Sequence, residues 1–229
     1  GKGAGDENFP VGSFLLPKYL RPHVAVCYDF ARAIDDVADN PSASSHEKIE
    51  RLNAFEDALL GKRQDEGLEK AVLLHESLAE LGVTTKHGQD LIDAFRQDSI
   101  KSRYDNWQEL LDYCDRSAAP VGRYLLDIHG EDKENYVFSD ALCNALQVIN
   151  HLQDCGDDRA DLNRIYLPQD WMAADSTSDA DLDKKALTSG LREVVDRCLD
   201  GTETLLKDAV LLPGALKSRR LAAESAVIV

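Results

Sequence analysis

Apolar residues recur three and four positions apart along most of the chain, and no stretch alternates apolar with polar between hairpin turns. That pattern predicts an all-α fold. The first helix is expected from Pro22, whose missing N–H costs nothing in a first turn, through Asp39, where Asn40-Pro41 ends it. Ser44, followed three residues later by Glu47, reads as a capping box that opens the next helix. Further helices are predicted over residues 67–81, 86–98, 106–128, 135–158, 181–209 and 213–227, with a Ser-, Asp- and Ala-rich loop over 173–180. No repeat period or sustained heptad accompanies them, so neither a solenoid nor a coiled coil accounts for the helices. The chain stops at Ala226-Val227-Ile228-Val229, inside an apolar helical pattern, and a truncated C-terminus is the expectation.

A chain of 229 residues is long enough for one sizeable core, and a single domain spanning all of it is expected. A formal net charge of −16 and a pI near 4.7 exclude a surface that wraps nucleic acid, where basic patches supply most of the affinity. The same charge opposes tight electrostatic attachment to anionic lipid but leaves peripheral contact through an apolar patch open. No apolar run reaches the roughly 18 residues of a membrane span, and Gly1 to Asp6 lacks the features of a signal peptide. The expectation is a soluble, cytoplasmic protein. The five cysteines are odd in number and show no C-x-x-C spacing, which points to packing rather than to disulfides or structural zinc.

Two acidic segments carry the candidate chemistry. In the first, Tyr28, Arg32, Asp35 and Asp39 fall on one helix face while Asp36 turns away by about 100°. A carboxylate pair four residues apart on a rigid helix suits magnesium, which takes oxygen ligands and keeps substrate phosphates in its shell. In a chain this acidic, one such motif by itself also describes a solvated face. Arg32 can equally pair with Asp35 or Asp36 along the helix. The second segment places Gln147, Asn150, Asp154 and Asp158 within about 80° of one another around a helix. His151 lies near that stripe and is read as a packed or hydrogen-bonding side chain without a catalytic role. Leu146, Val148, Ile149 and Leu152 require burial on either side, so the stripe faces an interior cavity. Two such stripes opposed across a cavity suit several metal ions clamping one diphosphate.

These residues resemble the squalene and phytoene synthase family. Its two signatures are matched by Tyr28-x-x-x-Arg32-x-x-Asp35-Asp36-x-x-Asp39 and by Gln147-x-x-Asn150-x-x-x-Asp154-x-x-x-Asp158. The likeness extends through Glu7-Asn8-Phe9-Pro10-Val11, through Tyr113-Cys114-Asp115-Arg116-Ser117-Ala118-Ala119-Pro120-Val121-Gly122, and through Arg164-Ile165-Tyr166-Leu167-Pro168. The Glu-Asn-Phe-Pro entry, the Ala-Pro-Val-Gly segment and Gln153 are most similar to the hopanoid-pathway branch, hydroxysqualene synthase. Other branches usually carry arginine where Gln153 stands.

The resemblance implies a single isoprenoid-synthase helical bundle with a central cavity. It implies that presqualene diphosphate loses diphosphate, the cation rearranges, and water captures it to give hydroxysqualene, with no NADPH. Within that chemistry Asp35, Asp39, Asp154 and Asp158 are the expected magnesium ligands. Tyr28, Arg32 and Tyr113 are the expected catalytic residues, and Gln147, Asn150, Arg164, Val121 and Gly122 join Arg32 in substrate binding. Arg164 reads as either a phosphate contact or a surface ion pair. Phe9, Phe14, Tyr28, Phe95 and Tyr113 are candidate aromatic walls for a cation. Two alternatives stay open: head-to-head condensation of two farnesyl or two geranylgeranyl diphosphates, and a non-catalytic helical assembly subunit. Functional coupling to other squalene-pathway enzymes is a further expectation.

Overall fold

A computed structural model describes residues 16–228; Phe9, Phe14 and the segment from Glu7 to Val11 lie outside the described residues. Helix α1 (Arg21–Ala38) buries Val24, Cys27, Phe30, Ile34 and Ala38 on one stripe, and the Asp39 amide closes it on the Asp35 carbonyl at 2.9 Å. Helix α2 (Ser45–Leu59) opens on the predicted capping box: the Glu47 amide donates to Ser44 Oγ at 3.3 Å and the Ser44 amide to Glu47 Oε2 at 2.8 Å. Helix α3 (Glu69–Leu81) stops at Gly82, whose φ of 65° is the left-handed cap that glycine adopts without strain. Helix α4 (Lys86–Asp98) follows as expected. These four, with one face of a later helix, enclose a core around Phe30, Phe55, Leu59 and Ile92.

The helix predicted over 106–128 is two helices, α5 (Trp107–Ser117) and α6 (Ala119–Ile128). The break sits at Ala118, because Pro120 has no N–H for the Arg116 carbonyl and its ring crowds that turn. Helix α7 (Tyr136–Leu162), 27 residues long, is the spine against which α5, α6 and α9 pack. Two further departures have local causes. The helix predicted from residue 181 starts eight residues later: α8 (Gln169–Ala174) and a short turn at Asp179–Asp181 precede α9 (Ser189–Ala209), which Thr188 caps through the Leu191 amide at 3.2 Å. The last predicted helix is divided into α10 (Leu212–Ala215) and α11 (Arg219–Ile228). Buried Glu131 caps α11 from afar, accepting the Lys217 and Ser218 amides at 2.9 and 2.7 Å.

Sequence patterning predicts no strands, yet β1 (Arg103–Tyr104) pairs in parallel with β2 (Ile165–Pro168). Both are too short to show an alternation, and all of β2 is buried. The pair ties the end of α4 to the end of α7. No helix among the described residues is long and apolar enough to cross a membrane.

Gly122 is where α6 meets α7. A Cβ there would run into Ser139 Oγ and would lie 2.6 Å from Cys143 Sγ, whereas one at Gly156, also helical, would meet nothing within 4 Å. Gly122→Val is therefore expected to destabilise by about 2 kcal/mol through overpacking. Gly156→Ala is expected to stabilise by about 0.5–1 kcal/mol by reducing the freedom of the unfolded chain. Urea unfolding midpoints measure both. Ser44→Ala, which leaves the α2 amides without their cap, is expected to cost ~1 kcal/mol in the same assay.

Candidate active site

Between the α1–α4 core and the core around α5, α7 and α9 lies a cavity of about 430 Å³. Its lining is acidic on two sides. Helix α1 brings Tyr28, Arg32, Asp35 and Asp39 to one wall, and α7 brings Gln147, Asn150, Asp154 and Asp158 to the other. The two stripes expected from helical spacing thus border one space. Apolar side chains line the cavity as well, among them Val24, Phe95, Val121, Leu125 and Leu146. Tyr113 from α5 and Arg164, just ahead of β2, complete the set of sequence-predicted residues on the wall. Gly122 is the exception. It is packed against α7 and borders a separate small cavity, of about 50 Å³, that shares Leu125, Cys143 and Leu146 with the large one.

The α1 wall is electrostatically loaded. Arg32 lies 2.6 Å from Asp35 and 3.5 Å from exposed Asp36, so the intrahelical pairing is real and leaves the guanidinium at the cavity edge. Burial first, and then the charge of Asp39, raise the Asp35 pKa to about 7 against the opposing pull of Arg32. A cation between the stripes would relieve that repulsion. Among the described residues, no three carboxylate, imidazole or thiolate groups converge tightly enough to enclose an ion on their own.

Arg164 is not a surface residue. It is 7% exposed and bridges the two halves of the site. Nη1 lies 3.2 Å from Asp39 and 3.3 Å from the Tyr166 hydroxyl, while Nη2 donates to the Asp98 carbonyl at 3.2 Å. Its Nε stands 3.8 Å from the Asp98 carboxylate. Burial opposes its charge, but Asp98, Tyr166 and Asp39 more than offset that and hold it protonated.

Sequence reasoning missed Asp98, which has no motif partner along the chain. It closes α4, is buried, and accepts the Tyr113 hydroxyl at 2.6 Å. Burial raises its pKa to about 6, with Arg164 and the Tyr113 hydrogen bond pulling the other way. Tyr104 and Tyr166, carried by β1 and β2, pack with Tyr113 at ring separations of 5.3 to 5.5 Å. Burial and the Asp98 charge keep Tyr113 and Tyr166 well above the usual phenol range. His151, expected to be merely packed, lies on the cavity wall stacked on Tyr166, with ring centroids 3.5 Å apart. Burial, with Arg164 adding to it, pushes its pKa down to about 3, so the imidazole is neutral.

A cavity lined by acidic stripes, arginines and apolar side chains suits a substrate with an anionic head and a long apolar tail. Comparison with known proteins agrees. The squalene/phytoene synthase family model matches residues 3–229. The hydroxysqualene synthase of Zymomonas mobilis is 45% identical over all of this chain and 77% of its own length. That of Rhodopseudomonas palustris is 41% identical with the same coverage. A crystal structure of squalene synthase from Alicyclobacillus acidocaldarius superposes with a TM-score of 0.80 at 31% identity, covering 96% of this chain and 86% of that one. The chain belongs to the squalene/phytoene synthase family, as an enzyme of prenyl diphosphate chemistry.

Proposed function

We propose that this enzyme converts presqualene diphosphate to hydroxysqualene and diphosphate in the hopanoid branch of squalene biosynthesis, with magnesium and without NADPH. The observation that carries the reading is the pair of aspartate stripes bordering one cavity whose inner walls are apolar. The 45% and 41% identities to two proteins named hydroxysqualene synthase favour this product over phytoene or presqualene diphosphate.

Magnesium, held by Asp35, Asp39, Asp154 and Asp158, would neutralise the charge that develops on the departing diphosphate. Arg32, at the edge of the α1 stripe, donates to a phosphate oxygen through guanidinium hydrogens that Asp35 does not engage. Gln147 and Asn150 donate amide hydrogens to the same head group from the α7 side. Arg164 holds Asp39 in place and presents a fixed positive charge behind the leaving group. The departing group leaves a cation between aromatic faces. Tyr28 and Tyr113 supply quadrupole stabilisation there, while Val121, Leu125 and Leu146 exclude bulk water. Asp98 orients Tyr113 through the short hydrogen bond between them.

Incubation of the protein with presqualene diphosphate and magnesium, with no reductant, is expected to yield hydroxysqualene. Formation of presqualene diphosphate or phytoene from allylic diphosphates, with no hydroxysqualene, would overturn the assignment in favour of a condensing enzyme. Asp154→Asn is expected to lower kcat by about 100-fold or more, the scale lost when one preorganised electrostatic contact to the developing charge is removed. Arg164→Lys keeps the charge but cannot span Asp39 and Asp98. A drop of roughly tenfold in kcat/KM is expected in steady-state assays, because a point charge does not replace a planar fork.

A further inference from the structure

Two buried side-chain polar atoms on the cavity wall have no hydrogen-bond partner among the described residues: Nε2 of His151 on α7 and Oγ of Ser117 on α5. Orphaned buried polar atoms are rare enough to call for an explanation. His151 is only 8% exposed, and its ring is held on two sides. Tyr166 stacks on it at 3.5 Å with planes 16° apart, and Tyr113 lies 5.9 Å away. Its position along α7 is informative as well. It precedes Asp154 by three residues and Asp158 by seven, so it projects within about 60° and 20° of those carboxylates, from one to two turns further along the helix. It therefore stands on α7 between Asn150 and Asp154, on the same cavity wall as the second aspartate stripe.

Resting on the reading that water captures the cation, we infer that His151 is the catalytic base of that step: its Nε2 takes the proton from the attacking water. The balance is simple. A water oxygen lone pair forms the C–O bond to the cationic carbon, one O–H bond of that water breaks, and its proton passes to Nε2, leaving a neutral alcohol and an imidazolium. No oxidant or reductant enters. A neutral imidazole is required beforehand, and the buried setting beside Arg164 provides it. Low basicity is no obstacle, because a protonated alcohol is a far stronger acid than an imidazolium. Two carboxylates that line the same cavity are engaged. Asp98 accepts from Tyr113 at 2.6 Å, and Asp39 is paired with Arg164 at 3.2 Å. Ser117 on α5 also lines the cavity with an unpartnered hydroxyl.

The test is the ratio of alcohol to hydrocarbon products, measured by gas chromatography on turnover of presqualene diphosphate in water enriched in oxygen-18. His151→Phe preserves the ring stack on Tyr166 but removes the base. The labelled alcohol is expected to fall by about tenfold or more relative to dienes formed by proton loss from the cation. His151→Gln, which restores an acceptor without a base of equal strength, is expected to give an intermediate ratio. An unchanged ratio in His151→Phe would overturn the inference and assign the proton to another acceptor, such as a diphosphate oxygen. Loss of all turnover in both variants would overturn it too, by making His151 a structural residue. If the wild-type protein makes no alcohol, the parent reading falls instead; alcohol from wild type with an unaltered variant ratio removes only the role of His151.

Discussion

The site depends on one buried guanidinium. Arg164 draws together Asp39 from α1, Asp98 from α4 and Tyr166 from β2, three groups that no common element would align. Asp98, taken out of water, resists ionisation, and the neighbouring guanidinium opposes that effect. Replacing Arg164 with a neutral group would strand Asp98 in the interior. The aspartate stripe of α1 would also lose the contact that ties its lower end to the opposite half of the fold. The tiny β1–β2 ladder has a matching purpose. It fixes where Arg164 leaves α7, immediately after Asn163 turns the backbone into the left-handed region at φ 51°.

The two aspartate stripes were readable because helical periodicity is strict: residues three and four apart must share a face, and both motifs lie within single helices. The capping box at Ser44 was readable for a similar reason, being complete within four residues. What could not be read came from contacts between distant segments. Asp98 finds Tyr113 fifteen positions away and Tyr166 sixty-eight positions away. Glu131 caps a helix across 86 residues. The division of α5 from α6 was signalled by Pro120, but the neighbouring apolar periodicity outweighed it. Gly122 is a close-packing point against Ser139 and Cys143, a contact between α6 and α7 that its own sequence neighbourhood does not display.

His151 shows the limit from the other side. Its spacing to Asp154 was visible, yet whether a histidine is charged, paired or orphaned depends on what is stacked against it. That stacking partner, Tyr166, arrives from a strand with no sequence signature. The same neighbourhood that buries the ring also sets its neutrality, so packing and chemistry are inseparable at this position.

Leu125, Cys143 and Leu146 border both the large cavity and the small one beneath α11. They form a partition made of side chains rather than of backbone. Shortening one of them would enlarge the apolar space beside the partition, and none of the three belongs to an aspartate stripe or to the Arg164 bridge. The reach available to a hydrocarbon tail is thus uncoupled from the machinery that handles its head group, and one scaffold can change the size of molecule it accepts without relearning its chemistry.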